Sequence, residues 1–182
     1  MKDRVVFLDR DGVINVEDGN FVTRPEDLRL LPGALESIAR LTAAGWTIVI
    51  FTNQSGVGRG QMTESALAEV HDSLRAQVTA AGGHLAGIYA CIHAPDAGCD
   101  CRKPQPGLLI RAAQELKLDL STAYAAGDTP RDIAAGHSAG CKTALILSGH
   151  TKTYSPESFP DPQPDEVFPN ISALAEWLIS SR

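Results

Sequence analysis

Two aspartates near the start of the chain, Asp9 and Asp11, directly follow the short apolar run 5–8 (VVFL). Side chains two residues apart on an extended chain point the same way, so we expect both carboxylates to face one point beyond the end of a buried strand. Two adjacent anions repel each other unless a cation lies between them or one takes up a proton. A divalent cation of the Mg²⁺ type, ligated by oxygens and also by a phosphate group, would satisfy them. An acidic, solvated turn is the ordinary alternative.

Polar side chains also follow other apolar runs that predict strands. These residues are Thr52 and Asn53 after the run 46–51 (WTIVIF), Lys103 in the segment 101–104 (CRKP), and Asp128 with Asp132 after the run 123–126. Parallel strands of an open α/β sheet end at one edge, and ligands bind at that edge. We therefore expect these segments to converge with Asp9 and Asp11. Taken one at a time, each residue has another explanation, as a strand-end hydroxyl, a solvated charge or a helix N-cap.

Cysteine is concentrated in the segment 91–101, which holds three of the four cysteines in the chain. Two closely spaced pairs, Cys91 with His93 and Cys99 with Cys101, flank a short loop that contains Pro and Gly. Such pairs can surround one Zn²⁺ ion tetrahedrally, and four protein ligands leave no position for water, so the expected role is structural. The alternative is a set of free thiols beside a surface histidine. The remaining cysteine, Cys141, is expected in the core.

The elements that must position these residues alternate along the chain. Strands are predicted at 5–8, 46–51, 87–91, 123–126 and 143–147, and helices at 32–45, 63–81, 105–118, 129–139 and 172–179. This alternation predicts an α/β fold of the Rossmann-like type, with a parallel sheet covered by helices on both faces. The segment 13–31 is expected to be a loop or a small hairpin over the strand end, and the segment 155–164 a surface loop. The connections that lead to Thr52 and Lys103 are already filled by these elements, which leaves no room for a separate cap domain.

Length and charge restrict the classes of protein and partner. A chain of 182 residues suits a single domain over 1–182, and its formal net charge of −6 argues against binding to nucleic acid or to an anionic membrane. The N-terminal sequence has no basic segment followed by an apolar stretch, so we expect no export signal. No apolar run has the length to span a membrane. We expect a cytoplasmic protein that acts on a small molecule, with a monomer as the expected state.

The four segments that hold Asp9 with Asp11, Thr52 with Asn53, Lys103, and Asp128 with Asp132 resemble, in order and character, the four motifs of the haloacid dehalogenase-like (HAD) phosphotransferase superfamily. The resemblance covers almost the whole chain, and it implies a HAD-like fold and hydrolysis of phosphate monoesters. In that superfamily the first aspartate of the pair attacks phosphorus, which implies this role for Asp9 and the role of general acid and base for Asp11. Mg²⁺ would be held by Asp9, the backbone carbonyl of Asp11 and Asp128.

The remaining motif residues would act on the phosphate group. Thr52 and Lys103 would bind phosphate oxygens. Asp132 would either ligate Mg²⁺ through a water molecule or orient Lys103. The predicted zinc loop, 91–101, would place Arg102 and Lys103 beside the phosphate, because both residues immediately follow its last ligand.

Within the superfamily, three segments together resemble the branch that contains heptose bisphosphate and histidinol phosphatases. They are DRDG (9–12), TNQSG-x-x-RG (52–60) and C-x-H…C-x-C-RKP (91–104). The form of the second segment, with Ser55 and Arg59, is similar to the heptose side of this branch. Residues expected to contact the substrate are Asn53, Gln54, Ser55, Arg59 and Arg102.

Two arginines beyond the needs of one phosphate, Arg59 and Arg102, favour a substrate with a second anionic group. The resemblance narrows such a substrate to the sugar bisphosphate D-glycero-D-manno-heptose 1,7-bisphosphate, cleaved at position 7. Three alternatives stay open. The chain could act on histidinol phosphate, it could bind phosphosugars without catalysis, or its two arginines could pair with surface acids such as Asp18, Glu64 or Asp100.

Overall fold

A parallel sheet with helices on both sides organises the chain, and the computed structural model describes residues 4–181. Along that range the elements are β1 (Val5–Leu8), α1 (Ala34–Ala43), β2 (Thr47–Asn53), α2 (Glu64–Ala80), β3 (Gly87–Cys91), α3 (Gly107–Leu116), β4 (Tyr124–Gly127), α4 (Pro130–Ser138), β5 (Lys142–Ile146), β6 (Glu166–Phe168) and α5 (Ile171–Ser180). Two short 3₁₀ turns, Pro25–Asp27 and Leu120–Thr122, lie in the connections. The predicted α/β class is confirmed.

The strands of residues 4–181 form one six-stranded sheet in the order β3-β2-β1-β4-β5-β6, and every neighbouring pair is parallel. β1 lies near the centre, and all its side chains are buried. Leu8 pairs with Ile50 on β2 and with Ala126 on β4, so the three strands run in register toward the same edge. Because the chain passes from β1 to β2 on one side and returns to β4 on the other, this edge is where open α/β sheets bind ligands.

Side chains of the strands alternate between two hydrophobic layers, one on each face of the sheet. On one face, Val6 and Leu8 of β1 pack in a layer with α1, α2 and α5. On the other face, Val5 and Phe7 pack in a layer with α3 and α4. Both faces are therefore covered, which explains why the strands are continuous apolar runs in the sequence.

Some boundaries differ from the predicted ones. The sequence does not predict β6, because a three-residue strand at the edge of a sheet carries no periodic pattern. α3 is shorter than the predicted helix 105–118, since Lys117 adopts a left-handed conformation (φ 56°) just beyond its last residue. β2 continues to Asn53, so Thr52 and Asn53 belong to the strand instead of following it. Thr63, where the predicted helix 63–81 begins, is the N-cap of α2, and its side chain accepts a hydrogen bond from the N–H of Ala66.

The connections around the strand ends are short. Between β1 and β2 the chain forms a loop with one 3₁₀ turn and then α1, and between β2 and β3 it forms α2. The loop 13–31 is attached by single bridges that pair Asn15 with Asp11 and with Leu30. In this part of the described chain, no folded unit covers the ends of β1 and β2. Among the helices of residues 4–181, none has both the length and the apolar character required to cross a lipid bilayer.

Candidate active site

The ends of β1, β2 and β4 border a cavity of about 260 Å³. Its wall contains Asp9, Asp11, Thr52, Asn53, Lys103, Asp128 and Asp132, all of which the sequence predicts as site residues. It also contains Glu17, Thr129, Arg131 and His150, which the sequence does not predict as site residues. The structure therefore brings the four predicted segments together at one edge of the sheet.

Lys103 is the buried cation of the cavity, with only 2% of its side chain exposed. Its Nζ lies 3.0 Å from Asp9 Oδ1 and 2.5 Å from Asp132 Oδ1. The same nitrogen donates to the carbonyl of Phe51 at 3.0 Å. Burial by itself would lower the pKa of this amine, but the carboxylates of Asp132 and Asp9 raise it above its ordinary value. The Lys103 side chain is therefore positively charged at neutral pH.

Asp9, Asp128 and Asp132 form the negative part of the site, and one oxygen from each lies within 4.8 Å of the others. Burial, reinforced by the neighbouring carboxylates, raises the pKa of Asp9 to about 8 even though Lys103 opposes this. Burial and Asp132 raise the pKa of Asp128 to about 6. With all three carboxylates ionised, one ammonium group leaves an excess of two negative charges. These oxygen donors and this charge fit a divalent cation such as Mg²⁺.

Asp132 is held in place by the first turn of α4. Its Oδ2 accepts hydrogen bonds from the backbone N–H of Thr129 at 2.9 Å and from the Thr129 hydroxyl at 2.6 Å, which forms a capping box. The other oxygen, Oδ1, contacts Lys103. This contact is the one required for Asp132 to orient Lys103, and both predicted roles of Asp132 remain predictions.

Asp128 packs against two glycines that approach it closely. A Cβ atom at Gly12 would lie 2.3 Å from Asp128 Oδ2, and one at Gly149 would lie 2.1 Å from the same oxygen. Gly12 has in addition a φ of 82°, a conformation that other residues adopt only with strain. The N–H of His150 donates to Asp128 Oδ2. Glycine at these two positions therefore lets two loops close on the Asp128 carboxylate.

Asp11 differs from the expectation that it shares a cation with Asp9. Its carboxylate is not among the oxygens that cluster with Asp9. It accepts hydrogen bonds from Arg10, Asn15 and Gln54 instead. Burial would raise the pKa of Asp11, but the Arg10 guanidinium and these hydrogen bonds hold it below its ordinary value. The predicted metal ligation through the Asp11 carbonyl remains a prediction.

The cysteine cluster has the dimensions of a tetrahedral metal site. Cys91 Sγ lies 3.6 Å from His93 Nδ1 and 3.6 Å from Cys99 Sγ. Cys101 Sγ lies 3.2 Å from His93 Nδ1 and 3.6 Å from Cys99 Sγ. A zinc ion with bonds of about 2.0–2.3 Å to nitrogen and sulfur requires ligand separations of about 3.5–3.8 Å. The four donor atoms, of which His93 is the most exposed, therefore fit one Zn²⁺ ion.

Asn53 and Gln54 bind protein groups around the cavity. Asn53 Oδ1 accepts from the backbone N–H of Lys103 at 3.1 Å, and Asn53 Nδ2 donates to its carbonyl at 3.2 Å, which ties Lys103 to β2. Gln54 Nε2 donates to Asp11 Oδ2 at 2.7 Å and to the hydroxyl of Thr52 at 3.0 Å. Ser55 is buried and does not line the cavity that holds Asp9 and Lys103.

The two arginines predicted to bind a second anionic group lie outside the cavity wall. Arg59 and Arg102 line none of the cavities described for residues 4–181, and neither forms an ion pair in that range. The predicted alternative partner Asp18 pairs with Arg29. Arg102 Nη1 is buried without a hydrogen-bond partner among the described residues. The arginine in the wall is Arg131 on α4.

A second, smaller cavity of about 110 Å³ adjoins the first. The two share Asp11, Glu17 and Asn53, and the smaller one is completed by the loop residues Asn20 and Phe21. This arrangement places loop 13–31 beside the space available to the part of a substrate that extends from Asp9. A larger cavity of about 560 Å³ lies along β3 between α2 and α3, and none of the clustered carboxylates lines it.

Comparison with known proteins shows the family to which the chain is similar. The family model described as HAD-hydrolase-like matches residues 100–174. Over 177 residues the chain is 40% identical to the D-glycero-beta-D-manno-heptose-1,7-bisphosphate 7-phosphatase of Bordetella bronchiseptica. The match covers 97% of this chain and 98% of that relative. Over 179 residues it is 36% identical to the protein of the same name from Pseudomonas aeruginosa, covering 98% of this chain and 99% of the relative.

A solved structure is also closely similar. The crystal structure of the D,D-heptose 1,7-bisphosphate phosphatase from B. bronchiseptica, complexed with magnesium and phosphate, superposes with a TM-score of 0.91 at 39% identity. The match covers 98% of this chain and 99% of that chain. It therefore includes nearly all of the segments that line the cavity.

Proposed function

The chain belongs to the HAD-like hydrolases, a family of phosphatases, and within it we propose that the chain removes the 7-phosphate of D-glycero-D-manno-heptose 1,7-bisphosphate. The observation that carries this proposal is the group of Asp9, Asp128 and Asp132 around Lys103 at the sheet edge. Relatives that resemble the chain over nearly its whole length bear the name of this activity. The reaction depends on Mg²⁺ and proceeds through a phosphorylated Asp9.

Asp9 is the nucleophile of the reaction. Its Oδ1 accepts the N–H of Arg10 at 2.7 Å and lies 3.0 Å from Lys103 Nζ, and these contacts fix the plane of the carboxylate. When a carboxylate oxygen attacks phosphorus, the bond between phosphorus and the sugar oxygen breaks, and the phosphoryl group remains on Asp9. Mg²⁺, when bound by Asp9 and Asp128, neutralises phosphate oxygens and favours the ionised form of the nucleophile.

Thr52 and Lys103 hold the phosphate in line with Asp9. Phosphoryl transfer chiefly requires positioning and neutralisation of charge. The Thr52 hydroxyl and the Lys103 ammonium group both line the cavity, and both residues are almost fully buried, so they lose little further mobility when they bind. Asn53 supports this arrangement by fixing the backbone of Lys103.

Asp11 transfers the protons. Because its resting contacts keep Asp11 ionised, it first takes up a proton from solvent as the substrate binds. It then protonates the sugar oxygen as the ester bond breaks, and in the second step it removes a proton from the water that attacks phosphorus. The second attack releases inorganic phosphate and restores the Asp9 carboxylate. Asp11 lines the same cavity as Asp9, although its resting contacts are with Arg10, Asn15 and Gln54.

A second phosphate on the substrate would need a further cation, and three arginines are the candidates. Arg131 lies in the cavity wall at the first turn of α4, whereas Arg59 and Arg102 line none of the described cavities and are candidates from their places in the sequence, after Asn53 and after the zinc loop. Arginine binds phosphate through two parallel hydrogen bonds. Removing an arginine that binds the second phosphate should therefore reduce the preference for the bisphosphate by about tenfold.

The test is phosphate release from the heptose 1,7-bisphosphate, heptose 7-phosphate and histidinol phosphate, with kcat/KM measured for each. Wild type should prefer the bisphosphate, and one or more of Arg59→Ala, Arg102→Ala and Arg131→Ala should lose that preference. Arg40→Ala, which removes an exposed arginine from α1, is the matched control and should keep it. Equal use of histidinol phosphate, or unchanged selectivity in all three variants, would overturn this assignment of the substrate.

The cellular setting and the oligomeric state are part of the same proposal. A zinc site of three thiolates requires reduced cysteines, which supports a cytoplasmic location. All side chains of the proposed reaction come from one chain, which supports a monomer as the active unit. Light scattering at several protein concentrations should give the mass of one chain at full activity, and activity confined to a dimer would contradict the monomer.

A further inference from the structure

Arg10, which separates the two N-terminal aspartates, is the largest side chain buried almost completely in the described chain, at 1% exposure. Its guanidinium group binds the neighbouring carboxylate of Asp11 along one side. Nε donates to Asp11 Oδ1 at 3.1 Å, and Nη2 lies 2.9 Å from Oδ1 and 3.1 Å from Oδ2. The position of the Asp11 carboxylate is therefore set by the position of the Arg10 guanidinium.

Two side chains from other elements fix that guanidinium. Gln54, after β2, accepts from Arg10 Nη2 at 3.1 Å and donates to Asp11 Oδ2 at 2.7 Å, which closes a ring of hydrogen bonds. On the opposite side, Nη1 of Arg10 lies 3.4 Å from Nε2 of His71 on α2. His71 is the one contact from a helix in this network, so it connects Asp11 to the packing of α2.

His71 has the properties required of a neutral acceptor. It is 8% exposed and lies among Leu67, Val70, Leu74 and Val78, the apolar side chains that α2 buries against the sheet. Burial, and then the positive charge of Arg10, lowers the pKa of His71 to about 4. The imidazole is therefore neutral at neutral pH, and its Nε2 can accept the hydrogen of Arg10 Nη1.

We propose that His71 is a positioning residue for the reaction: it accepts a hydrogen bond from Arg10 and thereby fixes the guanidinium that holds Asp11 where it can protonate the leaving group. This inference rests on the proposed function. His71 does not line the catalytic cavity and does not touch the reacting atoms. Without it, Nη1 of Arg10 loses its side-chain acceptor in a buried position, and the guanidinium turns to find another.

Loss of the His71 hydrogen bond should slow the step in which Asp11 protonates the leaving group. A general acid acts only within hydrogen-bond distance of the oxygen that it protonates, about 2.6–3.2 Å, so a small displacement of Asp11 slows cleavage of esters whose leaving group must be protonated. Phosphate binding should change less, because Lys103 makes no hydrogen bond to this network and Thr52 is joined to it only through Gln54. An aryl phosphate such as p-nitrophenyl phosphate should also be affected little in this step, since its phenolate leaves without a proton.

The experiment compares His71→Phe, which fills the space without an acceptor, with His71→Gln, which retains one. We expect His71→Phe to lower kcat/KM for the heptose bisphosphate by about tenfold, with KM nearly unchanged. This loss is smaller than the full rate contribution of a general acid, because Asp11 is displaced and not removed. For p-nitrophenyl phosphate the loss in kcat/KM should be several times smaller. His71→Gln should recover most of the lost rate.

Val70→Ala is the matched control, because it disturbs the same buried face of α2 without touching Arg10. It should lower thermal stability while the ratio of kcat/KM values for the two esters stays as in wild type. An equal loss on both esters in His71→Phe, or no rescue by His71→Gln, would overturn the role of His71. Failure of the wild-type protein to hydrolyse either ester would overturn the proposed function itself, so the two failures are distinguishable.

Discussion

Residues 4–181 contain two groups of potential metal ligands that differ in burial, donor type and surroundings. The carboxylates of Asp9 and Asp128 are buried, border a cavity of about 260 Å³ and share their surroundings with a lysine. The thiols of Cys99 and Cys101 are partly exposed, and their donor atoms face each other and an imidazole at 3.2–3.6 Å. An ion among the carboxylates has room for a substrate oxygen, whereas an ion among the thiols has its coordination filled by protein.

The pKa values of the carboxylates and of the thiols also differ. Burial of like charges raises the pKa of Asp9 and Asp128, so the metal-free carboxylate site opposes its own ionisation. In the thiol cluster the pKa values diverge: burial raises the pKa of Cys91 and of Cys101, whereas hydrogen bonds from neighbouring groups overcome the effect of burial at Cys99 and lower its pKa to about 7. The first group is suited to an exchangeable ion that takes part in the reaction, and the second to a retained ion that supports the loop before Lys103.

The largest predicted effect is in the carboxylate group. Asp9→Asn keeps the shape of the side chain but removes the nucleophile and one metal ligand, so kcat should fall by about 10⁴-fold or more. Steady-state phosphate release from the heptose bisphosphate measures this. Asp161→Asn, at an exposed aspartate, is the control and should retain wild-type kcat. Turnover of Asp9→Asn near the wild-type value would show that Asp9 is not the nucleophile.

The carboxylate group should also make Mg²⁺ binding depend on pH. The folded-state pKa values of Asp9, about 8, and Asp128, about 6, lie above the ordinary value of 3.8, so the metal-free folded protein holds protons that the unfolded chain has lost. This contribution to stability is present below the ordinary value and is lost as the pH rises through about 6 and then about 8. Mg²⁺ competes with the same protons, so its affinity should rise by up to about tenfold per pH unit over this window.

Thermal unfolding with and without Mg²⁺, at several pH values between 6 and 8, measures the effect. The increase in Tm produced by Mg²⁺ should grow with pH, and it should do so less steeply in Asp128→Asn. A Mg²⁺-dependent increase in Tm that is the same at every pH would contradict the raised pKa values of the two carboxylates.

A smaller effect on turnover, and a distinct one on stability, is expected in the thiol cluster. Cys99→Ser should reduce zinc from about one ion per chain and lower Tm by about 4–8 °C, which corresponds to about 2 kcal/mol. Turnover should fall far less than in Asp9→Asn. Cys141→Ser is the matched control, since Cys141 lies outside the cluster, and it should keep its zinc. Absence of zinc from protein purified without chelators would contradict the zinc site.

The sequence predicts the parts of the molecule that depend on local pattern. Asp9, Thr52 and Asp128 are found because they end or follow buried strands, and parallel strands bring such residues to one edge. The thiol cluster is found because its spacing restricts where the ligands can lie. Five of the six strands are predicted, and β6 is not, since three residues carry no period.

Residues whose importance arises from tertiary contacts are not predicted. Arg131 and His150 reach the cavity from the first turn of α4 and from the segment after β5, at positions with no distinctive residue pattern. No sequence pattern predicts the burial of Arg10, which depends on the acceptors that Asp11, Gln54 and His71 provide. The direction of the Asp11 carboxylate is likewise set by these partners and not by its spacing from Asp9.

Chemical trapping of the phosphorylated Asp9 tests most directly whether Asp9 is the nucleophile. In Asp11→Asn the water-activating carboxylate is absent, so a phosphoenzyme formed from p-nitrophenyl phosphate should accumulate, and borohydride should reduce the acyl phosphate to an alcohol. Mass spectrometry of the peptides should then locate the reduced side chain at position 9, in the presence of Mg²⁺ and not after its removal. Reduction at another carboxylate, or release of phosphate at the wild-type rate with Asp9 never modified, would show that the reaction does not proceed through a phosphorylated Asp9.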